Sequence, residues 1–139
     1  MNERQFSNPG CASSTVFIVD DDAAVRSALS MLVHSCGWKP RPCASAEEFL
    51  ECYTRQGRGC LVLDLQMPGM TGADLMDILA DLDLQLPVIV ITAHADHAMA
   101  DRARASGALA VIGKPFRDDE LLGWIETALT RSAPAGEAD

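Results

Sequence analysis

Basic charge is scarce in this 139-residue chain: 11 Lys and Arg stand against 20 Asp and Glu, for a formal net charge of −9. The basic residues form no cluster, which argues against direct nucleic-acid binding by these residues. Long apolar runs are also missing. None approaches the ~18 residues a bilayer span requires, so no membrane segment is expected. Residues 1–14 lack the apolar centre of a secretory signal and are expected to form a flexible N-terminal tail. The cysteines (Cys11, Cys36, Cys43, Cys52 and Cys60) are odd in number and include no CxxC pair. Neither a disulfide framework nor a zinc knuckle is indicated, and reduced, partly buried thiols in a cytoplasmic protein fit better. Internal repeats and low-complexity segments are absent. What is present is an ordinary globular balance, 48% hydrophobic and 22% charged, in a length that suits one domain.

Four short apolar runs punctuate the chain: Thr15–Val19, Cys60–Leu65, Pro87–Ile91 and Leu109–Ile112. They do not alternate with polar residues, so they read as strands covered on both faces, hence as a parallel sheet. Trp38–Cys43 supplies a fifth strand, and Pro40 and Pro42 restrict it to an edge. Between the strands the period changes to that of helices. Val25, Ala28, Leu29, Leu32, Val33 and Cys36 make one amphipathic face, and Leu121, Leu122, Ile125, Ala128 and Leu129 make another. Ser45 and Glu48 form a capping box that opens a helix running to about Arg55, and Gly57 and Gly59 clear the way for the next strand. Further helices are expected over about Gly72–Leu82 and Asp96–Ser106, the latter closed by Gly107. The sum is an α/β fold of five (βα) units, doubly wound around a five-stranded parallel sheet. The folded part spans residues 15–131, and residues 132–139 read as a tail or linker stub.

In such sheets ligands bind at the carboxyl ends of the strands. Here those ends carry Asp20-Asp21-Asp22, Asp64 between Leu63 and Leu65, Thr92 and Lys114. A carboxylate among leucines is expensive to bury without compensation. Two like charges ~4 Å apart repel by about 4 kcal/mol at an effective dielectric of 20, so converging carboxylates call for a cation. Hard oxygen ligands suit Mg²⁺, which commonly bridges to phosphate. Asp64 is then the nucleophile toward phosphorus, with Thr92 and Lys114 holding the transferred oxygens. Taken singly, an aspartate after a strand is more often a helix cap, a role expected of Asp22 or a neighbour.

With these residues in place the chain resembles the receiver domain of bacterial two-component response regulators, and in particular their nitrogen-fixation-type branch. Val19-Asp20-Asp21-Asp22 is similar to that family's acidic pair. Asp64-Leu65-Gln66-Met67-Pro68-Gly69-Met70-Thr71-Gly72 matches its D-x-x-M-P-x-M-x-G loop, Thr92-Ala93 its T/S-A step, and Lys114-Pro115-Phe116 its K-P-F ending. The resemblance covers roughly residues 15–131. It implies a flavodoxin-like fold with strand order 2-1-3-4-5 and a phosphoryl group accepted on Asp64 from a histidine kinase or from a small donor such as acetyl phosphate. It implies Mg²⁺ held by Asp21, Asp64 and the Gln66 backbone carbonyl, with Asp20 acting through a bound water. It also implies a cis Lys114–Pro115 peptide. Thr92 would bond the phosphoryl oxygen and Lys114 would pair with it. One position departs. The family usually places Tyr or Phe three residues before the lysine as a rotamer switch, and here that residue is Val111. Activation is therefore expected to be carried by the Thr92–Asp96 backbone and the helix after it. Phe116 reads as core and His94 as a solvent-facing loop residue. Trp38 and Trp124 read as surface or packing residues, and Met67 and Met70 as parts of the loop motif.

A rival reading from another class is a phosphatase resembling the haloacid dehalogenase superfamily, since Ile18-Val19-Asp20-Asp21-Asp22 satisfies its opening motif and would make Asp20 the nucleophile. Its final acidic motif should follow another strand, whereas Asp118 and Asp119 follow Lys114 almost at once, and it leaves the D-x-x-M-P-x-M-x-G loop unexplained. Within the receiver reading three uses stay open. The chain serves as a stand-alone regulator, as a phosphorelay intermediate, or as the receiver of a transcription factor with a DNA-binding domain beyond it, and a receiver–receiver homodimer is compatible with each.

Overall fold

In this computed structural model, which describes residues 14–53, 59–67, 69–82, 86–93 and 98–131, strands and helices alternate through the described residues. The strands are β1 (Thr15–Val19), β2 (Lys39–Cys43), β3 (Gly59–Asp64), β4 (Val88–Thr92) and β5 (Ala110–Gly113). The helices are α1 (Ala23–Ser35), α2 (Ala46–Cys52), α3 (Gly72–Asp81), α4 (Ala98–Ala105) and α5 (Asp118–Arg131). All strand pairs are parallel, and the order across the sheet is β2-β1-β3-β4-β5. The two tails, Cys11, Arg55, Gly57, Pro68, His94 and Asp96 lie outside the described residues.

Alternation along the central strands divides the core in two. Phe17, Val19, Leu61, Leu63 and Val90 face one side, where Phe49, Leu75, Met76, Leu79, Ala100 and Ala103 cover them from α2, α3 and α4. Val16, Ile18, Val62, Ile89 and Ile91 face the other, covered by Leu29, Val33, Leu121, Ile125 and Leu129 from α1 and α5. On the first side Phe17 meets Phe49 edge-on with centroids 5.3 Å apart, a favoured aromatic geometry. Val111 and Met70 pack against this first side, Phe116, Trp38 and Trp124 against the second, and Met67 is buried in the first.

The prolines fit the edge for a geometric reason. Lys39 N–H donates to Ser14 C=O at 2.9 Å and Cys43 C=O accepts from Asp20 N–H at 3.3 Å. Residues 39, 41 and 43 therefore turn their amides toward β1, leaving the ring nitrogens of Pro40 and Pro42 on the open side. The same bond corrects the N-terminal boundary: Ser14, assigned to the tail from sequence, is buried and belongs to the foot of the sheet. Helix α1 differs from its expected face at Ala28, which is exposed. Ala28 precedes Leu29 by one residue and so lies about 100° round the helix, at the margin of the stripe. The capping box of α2 is also shifted. Ser45 Oγ accepts from Glu48 N–H at 3.0 Å, but Glu48 Oε1 reaches Ala44 N–H at 2.8 Å, one residue further back. Tyr53 leaves the helix with extended backbone, so α2 closes before Arg55.

The thiols test the packing. Burial pushes the Cys60 thiol up to about 12, and burial aided by the nearby Glu48 carboxylate pushes Cys43 up to about 11. Only the thiolate reacts with alkylating agents, so both groups stay inert until pH approaches those values. At pH 8 iodoacetamide should leave Cys43 and Cys60 unmodified in the native chain and label them after denaturation. Peptide mapping showing Cys60 labelled at its denatured rate would contradict this packing.

Candidate functional site

The carboxyl ends of β1, β3, β4 and β5 converge on one polar cluster. After Val19 the chain delivers Asp20, which is 1% exposed, then the exposed Asp21 and Asp22. Asp22 is the N-cap of α1, its Oδ1 accepting from Ala24 N–H at 2.9 Å, which confirms the capping role for that one member of the run. Asp20 Oδ1 accepts from Asp22 N–H at 2.9 Å. Its other oxygen, Oδ2, is buried without a hydrogen-bond partner among the described residues. Asp64 is the last residue of β3, is buried, and its Oδ1 accepts from Gln66 N–H at 3.2 Å. Carboxylate oxygens of Asp20, Asp21 and Asp64 all lie within 4.8 Å of one another.

Lys114 answers this charge from just past the end of β5. Its Nζ stands 3.6 Å from Asp20 Oδ2 and 3.6 Å from Asp64 Oδ2. The lysine is placed by its own backbone, whose N–H donates to Thr92 C=O at 2.8 Å, and the following peptide to Pro115 is cis. Thr92 is buried at the end of β4, in register with Gly113, and the small Ala93 after it is exposed. Strand register thus brings together residues that lie far apart in the sequence.

Three carboxylates against one ammonium leave the cluster electronegative. Burial raises the Asp64 carboxyl above the usual range, with repulsion from Asp20 and Asp21 adding to it, while the Gln66 N–H bond and Lys114 act the other way. Asp20 Oδ2, which meets Lys114 at 3.6 Å but has no hydrogen bond, and the all-oxygen donor set fit a hard divalent cation, which would offset that charge.

Two supporting residues show their reason only in three dimensions. Arg26 Nη1 donates to Asp20 C=O at 2.7 Å, fixing the backbone under the acidic pair from the next helix. Gly72 packs so closely on β3 that a Cβ there would meet Asp64 C=O at 2.6 Å and Leu65 Cα at 2.7 Å. Both neighbours are backbone and cannot rotate aside. Gly72→Ala should therefore cost about 2–3 kcal/mol in urea unfolding and disturb Asp64. Gly123→Ala is the control: no atom stands within 4 Å of its Cβ, and the helix should gain about 0.5–1 kcal/mol. Equal small effects from both would contradict the close approach.

The family model for the response regulator receiver domain matches residues 16–126. The chain is 47% identical over 116 residues to the response regulator protein TmoT of Ectopseudomonas mendocina, covering 84% of this chain and 53% of that protein. It is 42% identical over 125 residues to the transcriptional regulatory protein FixJ of Rhizobium meliloti, covering 90% and 61%. Among solved structures, FixJ-N superposes with a TM-score of 0.79 at 40% identity, covering 86% of this chain and 95% of that one. StyR, a response regulator, superposes at 0.81 with 41% identity, covering 86% and 61%. The chain spans between about half and three fifths of the length of the curated relatives it matches. The family match over residues 16–126 and the shared fold show that the chain belongs to the response regulator receiver domain family.

Proposed function

We propose that this receiver accepts a phosphoryl group on Asp64 and uses it to reshape a protein-interaction face. The observation that carries the reading is the placement of Asp64: a buried carboxylate at a strand end, 3.6 Å from the Lys114 ammonium and clustered with Asp20 and Asp21. Asp64 Oδ1 is engaged by the Gln66 N–H, which leaves Oδ2 to attack phosphorus. The oxygen–phosphorus bond forms as the bond from phosphorus to the donor breaks, the donor being a histidine-kinase phosphohistidine or acetyl phosphate. Lys114 meets the negative charge of the incoming oxygens, and Thr92 supplies a hydroxyl beside them. Ala93 leaves the approach open. Asp21, Asp64 and the Gln66 carbonyl would hold Mg²⁺, with Asp20 acting through a bound water. Bound there, the ion would neutralise charge on the phosphoryl oxygens.

This chemistry modifies the chain itself, so the protein is a signalling element and not an enzyme acting on a metabolite. Incubation with acetyl phosphate and Mg²⁺ should give one acid-labile phosphoryl adduct by intact mass. Replacing Mg²⁺ with a chelator should remove it. An equal adduct in both conditions would contradict the role of the acidic cluster.

In the relatives named as transcriptional regulators the matched region is only 60% and 61% of the protein, and the remainder supports an output domain that binds DNA. The described residues include no helix long and apolar enough to cross a membrane. We infer that this chain is the receiver part of such a regulator, residues 132–139 serving as linker. A reading frame that continues past Asp139 into a helix-turn-helix supports this. A stop codon followed by a separate phosphotransfer gene overturns it in favour of a relay.

A further inference from the structure

Helix α4 is held by little apolar contact. It has eight residues, four of them alanine; its fully buried side chains are Ala100 and Ala103, and Met99 is its one larger apolar side chain, partly buried against the same core. The other helices anchor themselves with Leu, Ile, Val or Phe. What α4 has instead is a polar clamp to α3. Arg102 Nη2 donates to Asp74 Oδ1 at 3.2 Å and, at closer range, to Asp77 Oδ2. Ser106, one residue beyond α4, donates from Oγ to Asp77 Oδ1 at 3.0 Å.

The α3 end of this clamp leads to the site. Asp74 Oδ2 also accepts from Thr71 N–H at 3.2 Å, and Thr71 Oγ1 accepts from Asp74 N–H at 3.1 Å, a complete capping box. Gly72 N–H, in the same turn, donates to Leu65 C=O at 3.0 Å, directly after Asp64. One guanidinium therefore ties the weakly packed α4 to the turn that is stitched to the end of β3. Arg102 and both its carboxylates are about half exposed, so a small displacement of α4 breaks these bonds and returns the groups to water at low cost.

We propose that Arg102 is a positioning residue that couples α4 to the loop after Asp64, holding α4 in its resting place until phosphorylation releases it. The proposal rests on the reading of Asp64 as phosphoacceptor for its second half only. In this proposal the clamp is either made or broken, and the two ends of the path bias that choice together.

Amide hydrogen exchange on the full 139-residue chain, with no phosphoryl group or mimic, tests the coupling. Arg102→Ala should speed exchange about threefold across 98–107 and also across 71–75, with 118–131 unchanged. Arg102→Lys reaches one carboxylate at a time and should restore part of the protection. Faster exchange in α4 with 71–75 unaffected would overturn the coupling, because Arg102 would then only prop its own helix. Titration with beryllofluoride, a phosphoryl mimic, tests the release: Arg102→Ala should bind it about threefold more tightly than the parent, and this gain should disappear in 1 M salt. Unchanged or weaker affinity overturns the release. A parent chain that does not bind beryllofluoride overturns the Asp64 reading, and the exchange data still decide the coupling.

Discussion

Asp64→Asn should leave a folded chain that takes no phosphoryl group from acetyl phosphate. The amide keeps the shape of the carboxyl and can still accept the Gln66 N–H bond, so the end of β3 is preserved. It is no longer a nucleophile, and no other carboxylate among the described residues has the same placement. Asp20 has one oxygen on Asp22 N–H and the other buried, and Asp21 is exposed. The loss should be total within detection, well beyond the tenfold that each ~1.4 kcal/mol of barrier represents. The substitution also removes one of three mutually repelling carboxylates, one whose burial already disfavours its charge. The variant should melt higher than the parent in metal-free buffer. An undiminished adduct on this variant would place the phosphoryl group elsewhere.

The second large effect concerns the cation. A ligand that binds only the folded state stabilises it by about 2.7 kcal/mol at a hundred times its dissociation constant. Saturating Mg²⁺ should raise the melting temperature of the parent accordingly. Asp21→Ala removes a direct oxygen ligand in the proposed site and should abolish most of that rise. Asp20→Ala, acting through water, should abolish less. Without metal the order reverses, since each substitution relieves repulsion within a cluster spanning 4.8 Å. Thermal melts of the three chains with and without Mg²⁺ give both signs in one experiment. Identical metal-induced shifts in the parent and Asp21→Ala would contradict Asp21 as a ligand.

How far the sequence reveals this structure depends on whether the controlling interaction is periodic. The strands are legible because β3 and β4 are continuous apolar runs buried on both faces, a pattern that only a covered parallel sheet explains. The edge placement of β2 follows from two prolines whose missing donors need an open side. Helix α4 is legible mainly through its closing glycine, Gly107, with φ of 104°. Its sequence, AMADRARA, has almost no apolar face to read. The acidic residues, Thr92 and Lys114 stand out because polar residues at the ends of apolar strands are costly, and the parallel register does bring them together. Their support does not stand out. Arg26 under Asp20 and Arg102 across Asp74 and Asp77 are contacts between segments that fold close and carry no fixed spacing. Gly72 is visible in the loop motif, but the reason for it, backbone at 2.6 Å, appears only in three dimensions. Val111 is half-buried against the α2–α3–α4 side, where a larger ring would otherwise report on the site. A β-branched side chain has little freedom to swing, and this is why the proposed switching is assigned to backbone and to α4.

Reductive trapping identifies which aspartate carries the phosphoryl group. An acyl phosphate on an aspartate is reduced by borohydride to homoserine, which marks the position permanently. After treatment with acetyl phosphate and Mg²⁺, peptide mapping should find homoserine at position 64 and at no other aspartate. Homoserine at position 20 would contradict the account and restore the hydrolase reading, in which the first strand carries the nucleophile.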